Sequence, residues 1–536
     1  MKLADRRAGF ALALLLLAGC ATGPEYRKPA LAMPSAWATE APWREGRPDD
    51  AAAKGRWWLR YGDPVLDALQ DRALENSPTL AVAGARLAQA QATLEAALAG
   101  RYPQLGVNLR GARQRISANR PLTNYNSPNF ATVQNDALAS LSVNYETDLF
   151  GRVQSSIAVA TAAAAQSGAD LENVRLLLGA DLATAYFNLR AVDTELEVVA
   201  QSVALQRRAL DLATSRHDLG AVSGLDVAQQ QALLDTTLTQ VDLLRRQRAQ
   251  FEHALGTLTG AGAPLFALAP RAPEAAVPQV PAVPVGVPSD LLERRPDVAS
   301  AERAMAAANA QVGIANAAFY PSISLGATLG TESRALGTLF NAPSLLWSLG
   351  ASLAQPVFDA GRIRANLAGA QAGYDATVAN YRRVVLTAMQ EVEDGISGMA
   401  SLERDHAQAM RTSDSAAKLR DLATARYEGG IASYLDLISA QKSLLNAQGQ
   451  QAQLMGQRLL VSVFLVNDMV HSSTSVELDR ACGSAGAVSA GAAEPLRTFL
   501  TELSGPRLRR RLVTPRGAAR PQRQGQVRHR PSLGQK

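Results

Sequence analysis

Three sets of residues in this chain have types and spacings that could do chemistry. Cys20 directly follows Leu17-Ala18-Gly19 at the end of an apolar run, a thiol among small residues and open to alkylation. Ser223-x-x-Asp226 and Ser433-x-x-Asp436 each set a hydroxyl three residues before a carboxylate. That is the spacing of a helix N-terminal capping box. Tyr427 lies shortly before the second box and carries a phenol that can donate a charge-assisted hydrogen bond to such a carboxylate. Catalytic constellations are missing. The sequence has no Walker loop, no His-Glu-x-x-His, no Cys-x-x-Cys and no Gly-x-Ser-x-Gly. Two cysteines and five histidines leave little for metal or redox chemistry, and His217 and His406 stand singly on helical tracts. No catalytic residue, metal or cofactor is expected, and the chain does not read as an enzyme.

The elements that must position these residues come in pairs. Residues 211–227, DLATSRHDLGAVSGLDV, and 421–437, DLATARYEGGIASYLDL, agree at nine of 17 positions, 210 apart. Gly151-Arg152-Val153 falls on Gly361-Arg362-Ile363 at the same offset, and Tyr102-Pro103 falls on Tyr320-Pro321 at an offset of 218. A long internal duplication explains this. Copy one takes residues 64–262 and copy two 291–470. Between them lies a linker, 263–290, whose seven prolines from Pro264 to Pro288 exclude helix and sheet interiors.

Within each copy the hydrophobic period changes in the same order. Residues 78–100 and 296–318 are alanine-rich and helical. Alternating segments follow: Leu105, Val107, Leu109, then Ala139, Leu141, Val143, Tyr145 in copy one. Copy two has Ile323, Leu325, Ala327, Leu329, then Leu345, Trp347, Leu349, Ala351, Leu353. Small or polar partners such as Ser322, Ser324 and Thr328 alternate with them. Period-two runs of about ten residues fit membrane-spanning strands around a wet lumen. A soluble sheet with one solvated face is the alternative; the terminal cysteine and the long polar connection 118–135 favour the barrel. The next tract, Arg152 to Arg216, has no proline and predicts about 100 Å of helix. Its apolar residues, from Leu171, Val174 and Leu178 to Val199 and Val203, step by three and four as in a coiled-coil seam. Copy two keeps part of that seam in Val384, Val392, Met399 and Leu402.

The repeated sentence is then a helical hairpin tip. Gly220 and Gly430 suit the left-handed residue after a helix C-terminus, and Ser223 and Ser433 start the next helix. Leu225 and Leu435 follow each serine as apolar residues on the tip.

Both termini add information. Lys2, Arg6 and Arg7 precede the apolar run Phe10 to Ala18, too short to span a bilayer, so residues 1–19 read as a secretory signal. Leu17-Ala18-Gly19-Cys20 resembles a bacterial lipobox, in which the cysteine thiol takes a diacylglyceryl group and becomes the mature N-terminus. Residues 20–63 read as a lipid-anchored tether along the surface. The formal charge of +6 is misleading, because residues 471–536 hold 12 basic and only 4 acidic side chains. The body is mildly acidic, which argues against a nucleic-acid partner. The 471–536 tail reads as frame-shifted or read-through sequence, with a genuine disordered extension as the alternative.

Four strands per chain cannot close in lipid, where open sheet edges are not tolerated, and the smallest closed barrels have eight. The chain must therefore oligomerise. The pattern resembles the TolC-like outer membrane factors, in particular the lipoprotein branch with OprM- and NodT-like efflux proteins, over about residues 17–465. The words that carry the resemblance are Gly23-Pro24-Glu25-Tyr26-x-x-Pro29, Arg295-Pro296-Asp297-Val298-x-x-Ala301-Glu302, Phe319-Tyr320-Pro321-Ser322-Ile323 and the paired tips. The resemblance implies a mixed α/β membrane protein and a homotrimer. A 12-stranded barrel in the outer membrane would continue as a long periplasmic coiled-coil α-barrel. It implies a periplasmic adaptor and an inner-membrane pump of the RND type as partners, with passive conduction of small molecules from periplasm to exterior. Export of proteins in a type I system is an alternative; a periplasmic adaptor lipoprotein is a more remote one. It also implies a periplasmic gate at Asp226, Tyr427 and Asp436, with Tyr427 donating to Asp226 of the neighbouring hairpin. Gly220, Ser223, Leu225, Gly430, Ser433 and Leu435 would form the adaptor contact. Where some members have a basic latch residue, this chain has Ala432.

Overall fold

The computed structural model describes residues 24, 26–27, 56–119, 132–270, 280–281 and 295–470. Cys20, most of the tether, most of the proline-rich linker and the 471–536 tail lie outside the described residues.

Strands β1 (Gln104–Ile116), β2 (Thr132–Thr147), β3 (Ser322–Ser333) and β4 (Leu345–Ala354) form one antiparallel sheet in the order β1-β2-β3-β4. Their register sorts the side chains by face. Val107, Leu141, Leu329 and Trp347 lie on one rung, and Leu105, Val143, Ala327 and Leu349 on the rung two residues away. The rung between them holds Gly106, Ser142, Thr328 and Ser348. Because side chains alternate across a strand, one face is an apolar ladder and the other is small and polar. The apolar face is bare: Leu109 is 79% exposed, Leu349 79% and Trp347 73%. The connection expected over 118–135 is shorter at its end, since β2 already starts at Thr132.

Among the described residues seven α-helices accompany the sheet: α1 (Pro64–Asn76), α2 (Pro78–Ala99), α3 (Arg152–Asp218), α4 (Gly224–Leu258), α5 (Pro296–Ala317), α6 (Arg362–Glu428) and α7 (Tyr434–Val470). Helices α3 and α6 have 67 residues each, about 100 Å at 1.5 Å per residue. Each starts just after a strand on a carboxylate. Asp148 accepts from the backbone N–H of Val153 and Gln154 at 3.0 and 2.7 Å, and Asp359 from Gly361 and Ile363 at 3.0 and 2.8 Å. Helix α3 packs on α2, α4, α5 and α7, and α6 packs on α5 and α7. Hairpin one (α3–α4) and hairpin two (α6–α7) thus meet along α3 and α7. The seam positions Leu178, Leu182, Leu189, Val192, Val199 and Val203 are buried, as are Val392 and Met399. Among the described residues no helix is long and apolar enough to cross a membrane.

The largest core corrects one expectation. Trp57–Tyr61, assigned to a surface tether, forms a 3-10 helix whose Trp57, Trp58 and Tyr61 are buried against Leu66, Tyr186, Phe187 and Leu465. Tyr61 shares a 2.8 Å hydrogen bond with Ser462, and Gln70 donates to the Gly179 carbonyl at 2.8 Å. Farther upstream Tyr26 packs against this core, and Asn309 donates to the Pro24 carbonyl at 3.0 Å. The start of the linker is strapped down as well. Arg248 bonds Asp193, Glu252 and the Leu268 carbonyl, while Arg190 bonds Asp193 and the Ala269 carbonyl. These charges are largely buried, and removing one would leave its partners uncompensated.

Candidate functional site: the hairpin tips

Each tip is built by the same two local devices. At tip one the Gly220 N–H donates to the His217 carbonyl and the Ala221 N–H to the Arg216 carbonyl, both at 2.8 Å. At tip two Gly430 donates to Tyr427 at 3.1 Å and Ile431 to Arg426 at 2.9 Å. This is the Schellman arrangement, which needs a left-handed residue. Gly220 has φ +73° and Gly430 φ +70°. The next helix then starts on a capping box. The Ser223 N–H donates to Asp226 Oδ2 at 3.1 Å, and the Ser433 N–H to Asp436 Oδ2 at 3.1 Å. The two serine hydroxyls donate to the same oxygens at 3.3 and 2.8 Å. Both carboxylates therefore cap helices within the chain, at the positive ends of their dipoles.

The residues between the tips interlock the two hairpins. Ala213, Leu233, Tyr427, Tyr434, Leu437 and Ile438 form a separate apolar cluster. The rings of Tyr427 and Tyr434 stand 5.2 Å apart at 57°. The Arg216 guanidinium lies 4.8 Å from the centre of the Tyr427 ring and donates to the carbonyls of Tyr427 and Glu428 at 3.4 Å each. A cation of hairpin one thus sits on the carbonyl end of α6, where charge and dipole agree.

Tyr427 does not take the partner expected from the sequence within the chain. It is 5% exposed, and its hydroxyl is buried without a hydrogen-bond partner among the described residues. Tyr434 is the phenol that finds a partner. It donates to Gln230 Oε1, and the fully buried Gln230 donates in turn to the Gln206 carbonyl at 2.9 Å. Burial pushes the Tyr434 hydroxyl well above the usual tyrosine range, and Tyr427 and the Asp226 carboxylate push the same way. Leu225, Ile431 and Leu435 remain 65%, 74% and 61% exposed at the tips. Arg216, Gln230 and Tyr434 escaped the sequence reading. A signal existed in the mismatches between the copies, where His217 and Gly224 stand against Tyr427 and Tyr434. In tip one the His217 ring lies 3.6 Å from where a side chain on Gly224 would begin, so the same two positions touch in both hairpins.

A sheet that is apolar on one face, small and polar on the other and open at both edges, running into two pairs of long helices with capped tips, fits a subunit of a channel. The chain belongs to the outer membrane efflux protein family, whose model matches residues 69–261 and 287–467. It is 33% identical to the pyoverdine export outer membrane protein OpmQ of Pseudomonas aeruginosa, over 84% of this chain and 94% of that one. It is also 33% identical to the solvent efflux pump outer membrane protein SrpC of Pseudomonas putida, over 89% and 98% of the two chains. Among solved structures it superposes on the outer-membrane channel OprN with a TM-score of 0.76 at 27% identity, covering 84% of this chain and 99% of that one. The open state of the Neisseria gonorrhoeae MtrE outer membrane channel matches with a TM-score of 0.72 at 26% identity, over 84% and 98%.

Proposed function

We propose that three copies of this chain form a 12-stranded outer-membrane barrel continued by a periplasmic helical tube. This assembly is the exit duct of a tripartite efflux system. The observation that carries the reading is the four-stranded ladder with a bare apolar face and two unpaired edges, continuous with helices of about 100 Å. Two copies of one strand–strand–hairpin unit, residues 64–262 and 291–470, supply it. Conduction is passive. Small organic molecules enter at the tips and leave at the cell surface, in keeping with relatives named for pyoverdine, solvent and toluene export.

The tips are the gate and the docking end. Gly220, Ser223, Gly430 and Ser433 shape them, and the exposed Leu225 and Leu435 offer an apolar contact to a periplasmic adaptor. Through the adaptor the tube meets an inner-membrane pump, of the RND type by family resemblance. Around a threefold axis Asp226 and Asp436 become rings of carboxylates that favour cations in a narrow mouth, and Tyr427 lies beside them in the packed tip. Lipidation of Cys20 adds a second hold on the membrane. Purified protein should have the mass of three protomers and conduct cations in planar lipid bilayers. A strain lacking the gene should accumulate an efflux dye until the gene is restored. A monomer without conductance, in a strain with unchanged dye uptake, would sink the proposal.

A further inference from the structure

The edges of the sheet, β1 and β4, carry unpaired backbone groups and the most exposed apolar residues of the strands. We propose the register in which they join between copies: Leu353 of one copy opposite Leu109 of the next, Ala351 opposite Gly111, and Leu349 opposite Arg113. This rests on the reading of the sheet as one third of a closed barrel built from repeated units.

The register follows from the repeat. The sequence offsets are 218 before the strands (Tyr102-Pro103 to Tyr320-Pro321) and 210 after them (Gly151 to Gly361). Applied to the observed pair Leu105 and Val143 of the first hairpin, they give Ile323 and Leu353. That pair is the one observed in the second hairpin. The two hairpins therefore share one internal register. The seam between hairpins occurs once inside the chain, where Thr147 faces Ile323, Tyr145 faces Leu325 and Val143 faces Ala327. Carried forward by the same offsets, those rungs become Val357 opposite Leu105, Gln355 opposite Val107, and Leu353 opposite Leu109 of the next copy.

Three features of the chain agree with this seam. Leu353, Leu109, Val357 and Leu105 are 66%, 79%, 96% and 67% exposed, and the seam gives each an apolar neighbour at cross-strand distance. Near the helices Leu353 meets Leu109 and Val357 meets Leu105 on the apolar face, farther out Leu349 meets Arg113, and Ser348, Gly350 and Ser352 stay on the small, polar face, which a slip of one residue would invert. At the end away from the helices, Trp347 comes opposite Arg115 of the next copy, a cation beside an indole. Slips of two residues keep the faces but break the equivalence of the seams.

Cysteine pairs read the register directly. In a Cys482→Ser background, one of two pairs, Leu109→Cys with Leu353→Cys or Asn108→Cys with Ala354→Cys on the other face, should oxidise to covalent dimers and trimers on a denaturing gel, replacing the monomer band. The second pair is the one to read if the first stays unlinked. It covers the alternative rung geometry, since only one type of rung brings the two side chains close enough for a disulfide. The single variants should stay monomeric on the gel. Links formed instead by Leu353→Cys with Val107→Cys or with Gly111→Cys would overturn the register, with the trimeric barrel intact. Absence of any link in protein that has the native mass of three protomers would also overturn it. Protein that is monomeric before oxidation would overturn both the register and the barrel.

Discussion

Removing a single hydroxyl should have opposite effects at two tyrosines that touch each other. Tyr434 donates to Gln230 Oε1 inside a fully buried site, and Gln230 also holds the Gln206 carbonyl of α3. In Tyr434→Phe the amide oxygen loses its donor where water cannot replace it, a cost of about 1–3 kcal/mol. Tyr427 keeps its ring contacts with Tyr434 and Arg216 when it becomes phenylalanine. The hydroxyl it loses is buried and unpaired, so Tyr427→Phe removes a desolvated polar group and should be neutral or stabilising. Because the cluster joins the two hairpins, the loss at Tyr434 appears as easier local opening of the tips and not as global unfolding. A cost of about 1–3 kcal/mol raises the open population roughly 5- to 150-fold. Hydrogen exchange of backbone amides in 424–440 and 226–234 reads this directly, and planar-bilayer recordings should show Tyr434→Phe channels opening more often. If Tyr427→Phe loosens the tips as much as Tyr434→Phe, the reasoning fails. Such a result would mean that the Tyr427 hydroxyl gains a partner only in the assembled channel.

Other outcomes follow from single positions. Leu349→Arg on the apolar face should cost about 2–4 kcal/mol if it meets the bilayer midplane and deplete trimers from membranes; Ser348→Arg on the polar face should leave assembly intact and lower cation conductance. Gly430→Ala forces a side chain into a left-handed conformation at φ +70°, so tip two should lose about 1–2 kcal/mol of local stability by hydrogen exchange. Burial between α3, α4 and α7 holds the Glu195 carboxyl above the usual range, partly opposed by its hydrogen bond with Gln453. Folding thus favours its protonated form, and its stability penalty grows as pH rises from the unfolded value through the folded one. Glu195→Gln should raise the melting temperature at about pH 7.5 and give little gain near pH 4.

Much of the architecture was legible because it is written in local periods. Leu105, Val107 and Leu109 announce a face that the register then lines up with Leu141, Leu329 and Trp347. Gly220 and Gly430 announce helix stops whose geometry leaves few other residues possible. What stayed hidden depends on contacts far apart in sequence. Trp57, Trp58 and Tyr61 follow a stretch without helical period, and only the groove made by α3 and α7 turns them inward. Arg216 has the same residue type as its counterpart Arg426, yet it reaches across to the other hairpin. No spacing rule distinguishes the two.

The duplication itself points to where function departs from scaffold. Both tips need the glycine, the serine and the aspartate to turn the chain, so these are the letters the two copies share. The positions that differ, His217 against Tyr427 and Gly224 against Tyr434, fill the space where the two hairpins meet. Two identical hairpins would pack alike on both sides and leave nothing to distinguish contacts within a subunit from contacts between subunits. A pair of tyrosines in one copy fills the contact within the chain. Hairpin two is then anchored through Tyr434 and Gln230, while exposed leucines such as Leu243, Leu419 and Leu422 remain on the edge helices α4 and α6.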